Sequence, residues 1–280
     1  GWEFYKAKMR GGSMSWIINF LKAILDMFKK ELDLETPTII KPNPEPVVIT
    51  PEPKIEPTKP ALKKPIDPVL WYPEAFVPKA KMQTQGRYRK GYPEGAVIHA
   101  TAGWDRDFAD ALNTHNYGAK EGLCWITIAP DGRIIQSHPL DQFGSHAGES
   151  MWDGLPGDRI SRFLLGIEVC SSGQLDFNLT AAYSPKRVYK KEETRILDKG
   201  TNHWGPKGVY SKFTTAQEDS LLKLLLWLHR NNPEVFKLDN VVGHHECAGQ
   251  LMLKRWRKID PGGCLSMPMD EYRKYLKRLV

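Results

Sequence analysis

Apolar and polar positions alternate with different periods along the chain, and the changes of period divide it. From Ser15 to Leu34 the polar residues Ser15, Asn19, Lys22, Asp26, Lys29 and Asp33 recur every three or four positions, with Trp16, Ile17, Ile18, Phe20, Leu21, Ile24, Leu25, Met27 and Phe28 between them. That spacing predicts an amphipathic helix over 14–35 with a wide apolar face. The face is broken too often by Asn, Lys and Asp for a membrane span, which needs about 20 mostly apolar residues. It suits packing on the main domain or a partner helix, attachment to a membrane surface, or self-association.

After about Met82 the texture becomes short apolar runs punctuated by glycine. GAVIHA (95–100) and FLLGIEV (163–169) read as buried strands, and CWITIA (124–129) and RIIQ (133–136) flank Pro-Asp-Gly as a hairpin. Val241 and Val242 form a short strand before Gly243. Thr215-Ala-Gln-Glu218 is a capping-box start for a helix whose Leu221, Leu222, Leu225 and Leu228 share a face and which stops near Asn231-Asn232-Pro233. A last helix is expected from Met269 to Leu279, with Tyr272, Leu276 and Leu279 inward. These elements predict an α/β domain, a mixed central sheet flanked by helices.

Composition changes this picture at one place. Twelve of the 21 prolines fall between Pro37 and Pro78, a stretch without glycine. It includes KPNPEPVVITPEPKIEPTKPALKKP, whose alternating charge and proline content favour extended polyproline II. At about 3.1 Å per residue such a stretch reaches up to roughly 130 Å. The expected organisation is therefore a tag and spacer over 1–13 (GWEFYKAKMRGGS), the helix over 14–35, a linker over 36–80 and a catalytic domain over 81–280. No secretory signal is recognisable, since the basic start and small-residue cleavage site are missing.

Charge and cysteine content exclude some classes of function. Forty Lys plus Arg against 33 Asp plus Glu leave 40 − 33 = +7, which suits a polyanionic envelope. No nucleic-acid motif and no concentrated basic face accompany it, so no nucleic-acid partner is expected. Four cysteines with no CxxC pair argue against a zinc ribbon or a thioredoxin-type site and leave one disulfide open.

Residues with metal-ligand chemistry stand at the ends of the predicted strands: His99 in VIHATAG, His244 in VVGHHECAG and Asp260 in RKIDPGG. These words, with GRYRKGYPEG, ITIAPDGRIIQ, GSHAG, LLGIEV and FTTAQ, resemble in content and order the zinc-dependent N-acetylmuramoyl-L-alanine amidases of the type-2 family. That family includes amidase-type phage lysozymes and peptidoglycan recognition proteins, and the likeness runs from about Gly86 to the C-terminus. It implies a peptidoglycan hydrolase that cleaves the amide between N-acetylmuramic acid and L-alanine with zinc-activated water. A non-catalytic wall-binding module on the same scaffold is the alternative.

Residue by residue, the resemblance makes His99, His244 and Asp260 the zinc ligands. Three protein ligands leave a fourth position open, as a catalytic zinc requires. It gives Glu168 the proton-transfer role and Lys258 the stabilisation of the oxyanion, and it sets His146 and Thr101 on the substrate side. His245 is expected beside the ligands rather than among them. Cys247 and Cys264 flank the third-ligand loop, where a disulfide between them stays open. The chain departs from the family at Cys124, where many relatives carry a tyrosine, and in the long polar stretch 171–212, expected either to line the groove or to be a surface insertion. His115, His138, His203 and His229 are expected to be structural. Peptidoglycan is the implied partner and the bacterial cell wall the implied place of action, with a phage-borne lytic enzyme as the nearest type. The N-terminal helix is left to a membrane surface, a phage-particle or secretion-apparatus protein, or itself.

Overall fold

A computed structural model describes residues 67–103, 106–175, 188–248 and 257–280. The tag, the amphipathic helix and the proline-rich linker as far as residue 66 lie outside the described residues.

The strands in chain order are β1 (Gly86–Arg87), β2 (Ala96–Ala100), β3 (Ile126–Ile128), β4 (Ile134–Ile135), β5 (Gln142–Phe143), β6 (Leu165–Val169), β7 (Gln174–Leu175), β8 (Thr194–Leu197), β9 (Gly208–Ser211) and β10 (Val241–Gly243). The helices are α1 (Phe108–Lys120), α2 (Thr215–Asn231), α3 (His244–Cys247) and α4 (Met269–Lys277). Five strands form the central sheet in the order β10-β2-β6-β3-β4, parallel except for β4, which pairs antiparallel with β3. The mixed sheet with flanking helices is the one expected from the pattern.

Pleating assigns the faces. Ile98, Ile167, Ile126 and Ile128 point one way and pack with Leu221, Leu224, Leu225 and Leu228 of α2 in the main core. The alternate residues Val97, His99, Gly166, Glu168 and Thr127 face the other way, so polar chemistry is confined to the side away from α2.

Three details differ from the sequence expectation. Residues 67–80, read as the end of the linker, pack on the domain. Tyr72 is buried in the core with its ring edge-on to Trp227 at 5.2 Å, and Phe76 bonds to Ile134 and Gln136 beside β4. Their apolar side chains outweigh the prolines around them. The box that caps α2 begins one residue earlier: the Thr214 hydroxyl accepts from Gln217 N–H at 3.1 Å and Gln217 Oε1 accepts from Thr214 N–H at 2.9 Å. At the C-terminus α4 stops at Lys277, and Leu279, expected inward, is 38% exposed.

Helix α1 had no signal in the apolar pattern. Its inward residues are Ala111, His115, Gly118 and Ala119, small or polar, and Gly118 leaves room for the indole of Trp125 where a Cβ would collide. Its start is set by Asp107, whose carboxylate accepts from Asp110 N–H at 3.0 Å. His115 then joins helix to sheet, with Nδ1 at 2.9 Å from Thr127 Oγ1 and Nε2 at 2.8 Å from Ser137 Oγ.

Candidate metal centre and catalytic cleft

Strand register brings the site together. β2 pairs β6 with His99 opposite Glu168, and β10 pairs β2 with Gly243 opposite Ile98, so His244 follows into the row beside His99. The row lies at the carboxyl ends of parallel strands, the edge of an open α/β sheet where loops leave room for a ligand. Asp260 arrives from a loop and is fastened to this edge by His245, whose N–H donates to the Asp260 carbonyl at 2.8 Å and whose Nδ1 lies 3.1 Å from the same oxygen.

Three atoms converge there. His99 Nδ1 is 3.1 Å from His244 Nδ1 and 3.2 Å from Asp260 Oδ2, and His244 Nδ1 is 3.0 Å from Asp260 Oδ2. The protons can be traced from the outside inward. The Ala147 carbonyl can only accept, so the 3.1 Å contact of His244 Nε2 with it makes Nε2 the N–H and leaves Nδ1 a lone pair. His146 Nε2 likewise donates to the Leu164 carbonyl at 2.9 Å. His146 Nδ1 therefore accepts from His99 Nε2 at 3.1 Å, and His99 Nδ1 is also a lone pair.

Burial, followed by the nearby His244, lowers the His99 pKa to about 4 and keeps the ring neutral at ordinary pH. Asp260 brings a carboxylate oxygen to the same two nitrogens. Two imidazole lone pairs and a carboxylate thus face one another, and a cation is what reconciles them. Ligands at about 2.0–2.1 Å from a tetrahedral zinc stand roughly 3.3 Å apart, close to the observed triangle. His99, His244 and Asp260 are, among the described residues, the group placed to hold a metal ion.

The three residues line a cleft of about 670 Å³ together with Glu168, Lys258, Trp125 and Tyr210. Glu168 Oε1 is 4.0 Å from His99 Nδ1, and its side chain is 12% exposed. Lys258 is exposed on the cleft wall. From the described parts of the stretch 171–212, Ser172, Gly173, Gln174 and Tyr210 also line that wall. Trp125, Gln174 and Arg257 also line the cleft without having been singled out for it, since an aromatic, an amide and one arginine in a basic run carry no distinguishing pattern.

Two residues expected on the substrate side are occupied otherwise. Both ring nitrogens of His146 are engaged within the protein, one by His99 and one by Leu164, while the side chain also lines the cleft. Thr101 lines the cleft, but its hydroxyl bridges to Ser171, accepting from its N–H at 3.1 Å and donating to its carbonyl at 3.2 Å. Cys124 is 2% exposed, and burial pushes its thiol up to about 12. Cys247 and Cys264 are both free thiols, which closes the question of a disulfide between them. Of the remaining histidines, His115 and His138 are buried, His203 Nδ1 meets Glu246 Oε1 at 2.7 Å, and His229 Nδ1 donates to the Phe236 carbonyl at 2.8 Å, all away from the triangle.

The sequence profile described as N-acetylmuramoyl-L-alanine amidase (Amidase_2) matches residues 89–263, more than half of the chain, and spans all three converging residues. The chain belongs to this amidase family. Among solved structures the amidase is similar to an AmpD derivative (22% identity over 74% of this chain and 96% of that one, TM-score 0.45). It is also similar to AmiD from E. coli, solved with anhydro-N-acetylmuramic acid-L-Ala-D-gamma-Glu-L-Lys (21% identity, 66% of this chain and 58% of that one, TM-score 0.41). A third is the amidase LysC from Clostridium intestinale (16% identity, 74% and 99%, TM-score 0.41). No curated protein matches the chain.

Proposed function

We propose that this family member hydrolyses the amide between the lactyl group of N-acetylmuramic acid and L-alanine of the peptidoglycan stem peptide. The observation that carries the reading is the triangle of lone-pair atoms from His99, His244 and Asp260, open to a cleft that also holds Glu168 and Lys258. A zinc ion held there supplies Lewis acidity toward the scissile carbonyl and acidifies water to a pKa of about 7.

The chain's own residues do the rest. Glu168 accepts the proton of the attacking water as the C–O bond forms, and returns it to the departing nitrogen as the C–N bond breaks, leaving a free L-alanine amine. Lys258 extends its ammonium toward the oxyanion of the tetrahedral intermediate. His146 holds the His99 ring in the tautomer that turns Nδ1 to the metal, a positioning role. Trp125, Gln174 and Tyr210 shape the groove around the glycan–peptide junction, and the positive net charge favours approach to the anionic envelope, the bacterial cell wall being the place of action.

Digestion of purified sacculi, followed by identification of new amino termini, tests the reading. Stem peptides with a free L-alanine amine are expected. Binding without release of peptide identifies a wall-binding module instead and defeats the enzymatic reading. The helix over 14–35 and the linker provide a tether in this proposal. Removing residues 14–66 should leave turnover on soluble muropeptides unchanged and alter only localisation.

A further inference from the structure

The small sheet built by the stretch 171–212 has the order β7-β9-β8, and its two faces differ. Pairing sets Arg195 opposite Tyr210 and Tyr210 opposite Gln174 in one row, and Ile196, Val209 and Leu175 in the row on the other face. The first row is turned toward the loop that follows Asp260. Arg195 donates through one guanidinium nitrogen to the Gly263 carbonyl at 2.9 Å and to the Leu265 carbonyl. Phe213, just past β9, donates its N–H to the Cys264 carbonyl at 2.9 Å. Three successive carbonyls of the loop are thereby taken up by this one stretch. The Tyr210 ring lies flat against the same loop, so that a Cβ on Gly263 would come within 2.6 Å of it.

We infer that Arg195, supported by Tyr210, is a positioning residue for the third metal ligand: the inserted sheet fixes the loop 261–265 so that the Asp260 carboxylate closes the triangle. This rests on reading His99, His244 and Asp260 as a metal site. His245 secures Asp260 at its own carbonyl, the peptide group that leads into the loop 261–265, and Arg257 Nε donates to the Ala248 carbonyl at 3.2 Å on the upstream side. Beyond it Arg195 and Phe213 anchor three successive carbonyls of the loop, while Trp204 Nε1 lies 3.5 Å from the Leu265 carbonyl and Ser266 N–H donates to Glu218 Oε1 of α2 at 2.7 Å. A carboxylate on a loop that has lost anchors samples more positions than an imidazole on a strand, and metal affinity falls accordingly. Arginine suits the task because its rigid head reaches two carbonyls at once and stays charged in a partly buried setting, where burial pulls its pKa down without discharging it.

The test is zinc affinity of the full chain, measured by competition with a chromogenic chelator, together with the visible absorption of the cobalt-substituted protein. The thermal midpoint of the metal-free protein is measured alongside. Arg195→Met is expected to weaken zinc binding about 10–100-fold, the usual scale for groups that orient ligands, and to perturb the cobalt bands. Arg195→Lys keeps one donor and is expected to weaken it less. His244→Ala serves as the reference and should lose tight zinc binding. If Arg195→Met binds zinc within about twofold of the parent with unchanged cobalt bands, whatever its thermal midpoint, the inference is overturned while the metal site stands. If His244→Ala still binds zinc tightly, the metal reading itself fails. Should Arg195→Met not fold, Gly263→Ala perturbs the packing of Tyr210 on the same loop: weakening of at least about tenfold is expected, and anything less overturns the inference.

Discussion

The central sheet and the inserted three-stranded sheet meet at the same cleft, yet they specify it differently. In the central sheet a row of residues on adjacent parallel strands, Glu168, His99 and the first residue after β10, is placed by backbone pairing, and its side chains line the cleft directly. In the inserted sheet the backbone only presents Arg195 and Tyr210, which act on another loop's carbonyls and glycines. Strand register fixes a group directly, whereas a loop ligand such as Asp260 needs bonds from elsewhere. The difference teaches where substitution should abolish function and where it should only loosen it.

The strongest way to break the comparison is at the ligands themselves. His244→Ala or Asp260→Ala should eliminate both zinc occupancy, read by elemental analysis, and release of L-alanine termini from sacculi; retained turnover would mean that the row is not the active centre. Next comes Glu168→Gln, which should keep zinc bound and lower kcat by about 10²-fold or more. Turnover close to that of the parent would demote Glu168 to a structural neighbour of His99.

How far these groups were legible in the sequence follows the same division. His99, Glu168 and His244 sit in apolar words whose strand period is unmistakable, so their convergence could be expected from pattern and resemblance together. Helix α1 was not legible because it buries Ala111, His115, Gly118 and Ala119, and small or polar inward residues leave no hydrophobic period. Nor was the short sheet of 171–212, whose longest strands have four residues and whose inward row mixes Arg, Tyr and Gln. The placement of His146 behind His99 depends on the carbonyl of Leu164, a backbone atom that no side-chain pattern encodes. The prolines masked the start of the domain, since Tyr72 and Phe76 are too widely spaced to announce a fold among Pro68, Pro73 and Pro78.

Core substitutions sharpen the comparison on the side of stability. Ile98→Ala, on the buried face of β2, should cost about 2–5 kcal/mol in urea unfolding. A smaller cost would show that the face opposite the metal row is not the main core.

Acid should weaken the fold through two other histidines. Burial lowers the His115 pKa to about 3 and the His138 pKa to about 4. Both stay neutral in the folded chain, while the unfolded chain takes up their protons below about pH 6.5. The unfolded state therefore binds more protons in this window, and stability falls as pH drops from about 6.5 to about 4. Unfolding free energies that stay flat across that range would show that these rings are reached by protons without unfolding.

The smallest effect is expected on the outer face of the inserted sheet. Ile196 is 64% exposed there, and Ile196→Thr should change stability by no more than about 0.5 kcal/mol and leave zinc affinity untouched. A large loss of zinc affinity would erase the distinction drawn between the two faces.

The double grip of His245 on the Asp260 carbonyl has a consequence for how such a protein can change over generations. The chain leaves the sheet after His244 and is clasped again at Asp260, so the stretch between is a closed bight whose base is set by its two ends. Lengthening a closed bight costs only logarithmically in chain entropy. Changes of length between Ala248 and Arg257 are therefore expected to leave His244 and Asp260 where they are, giving the lineage a stretch of sequence it can vary without re-inventing the convergence of the three side chains.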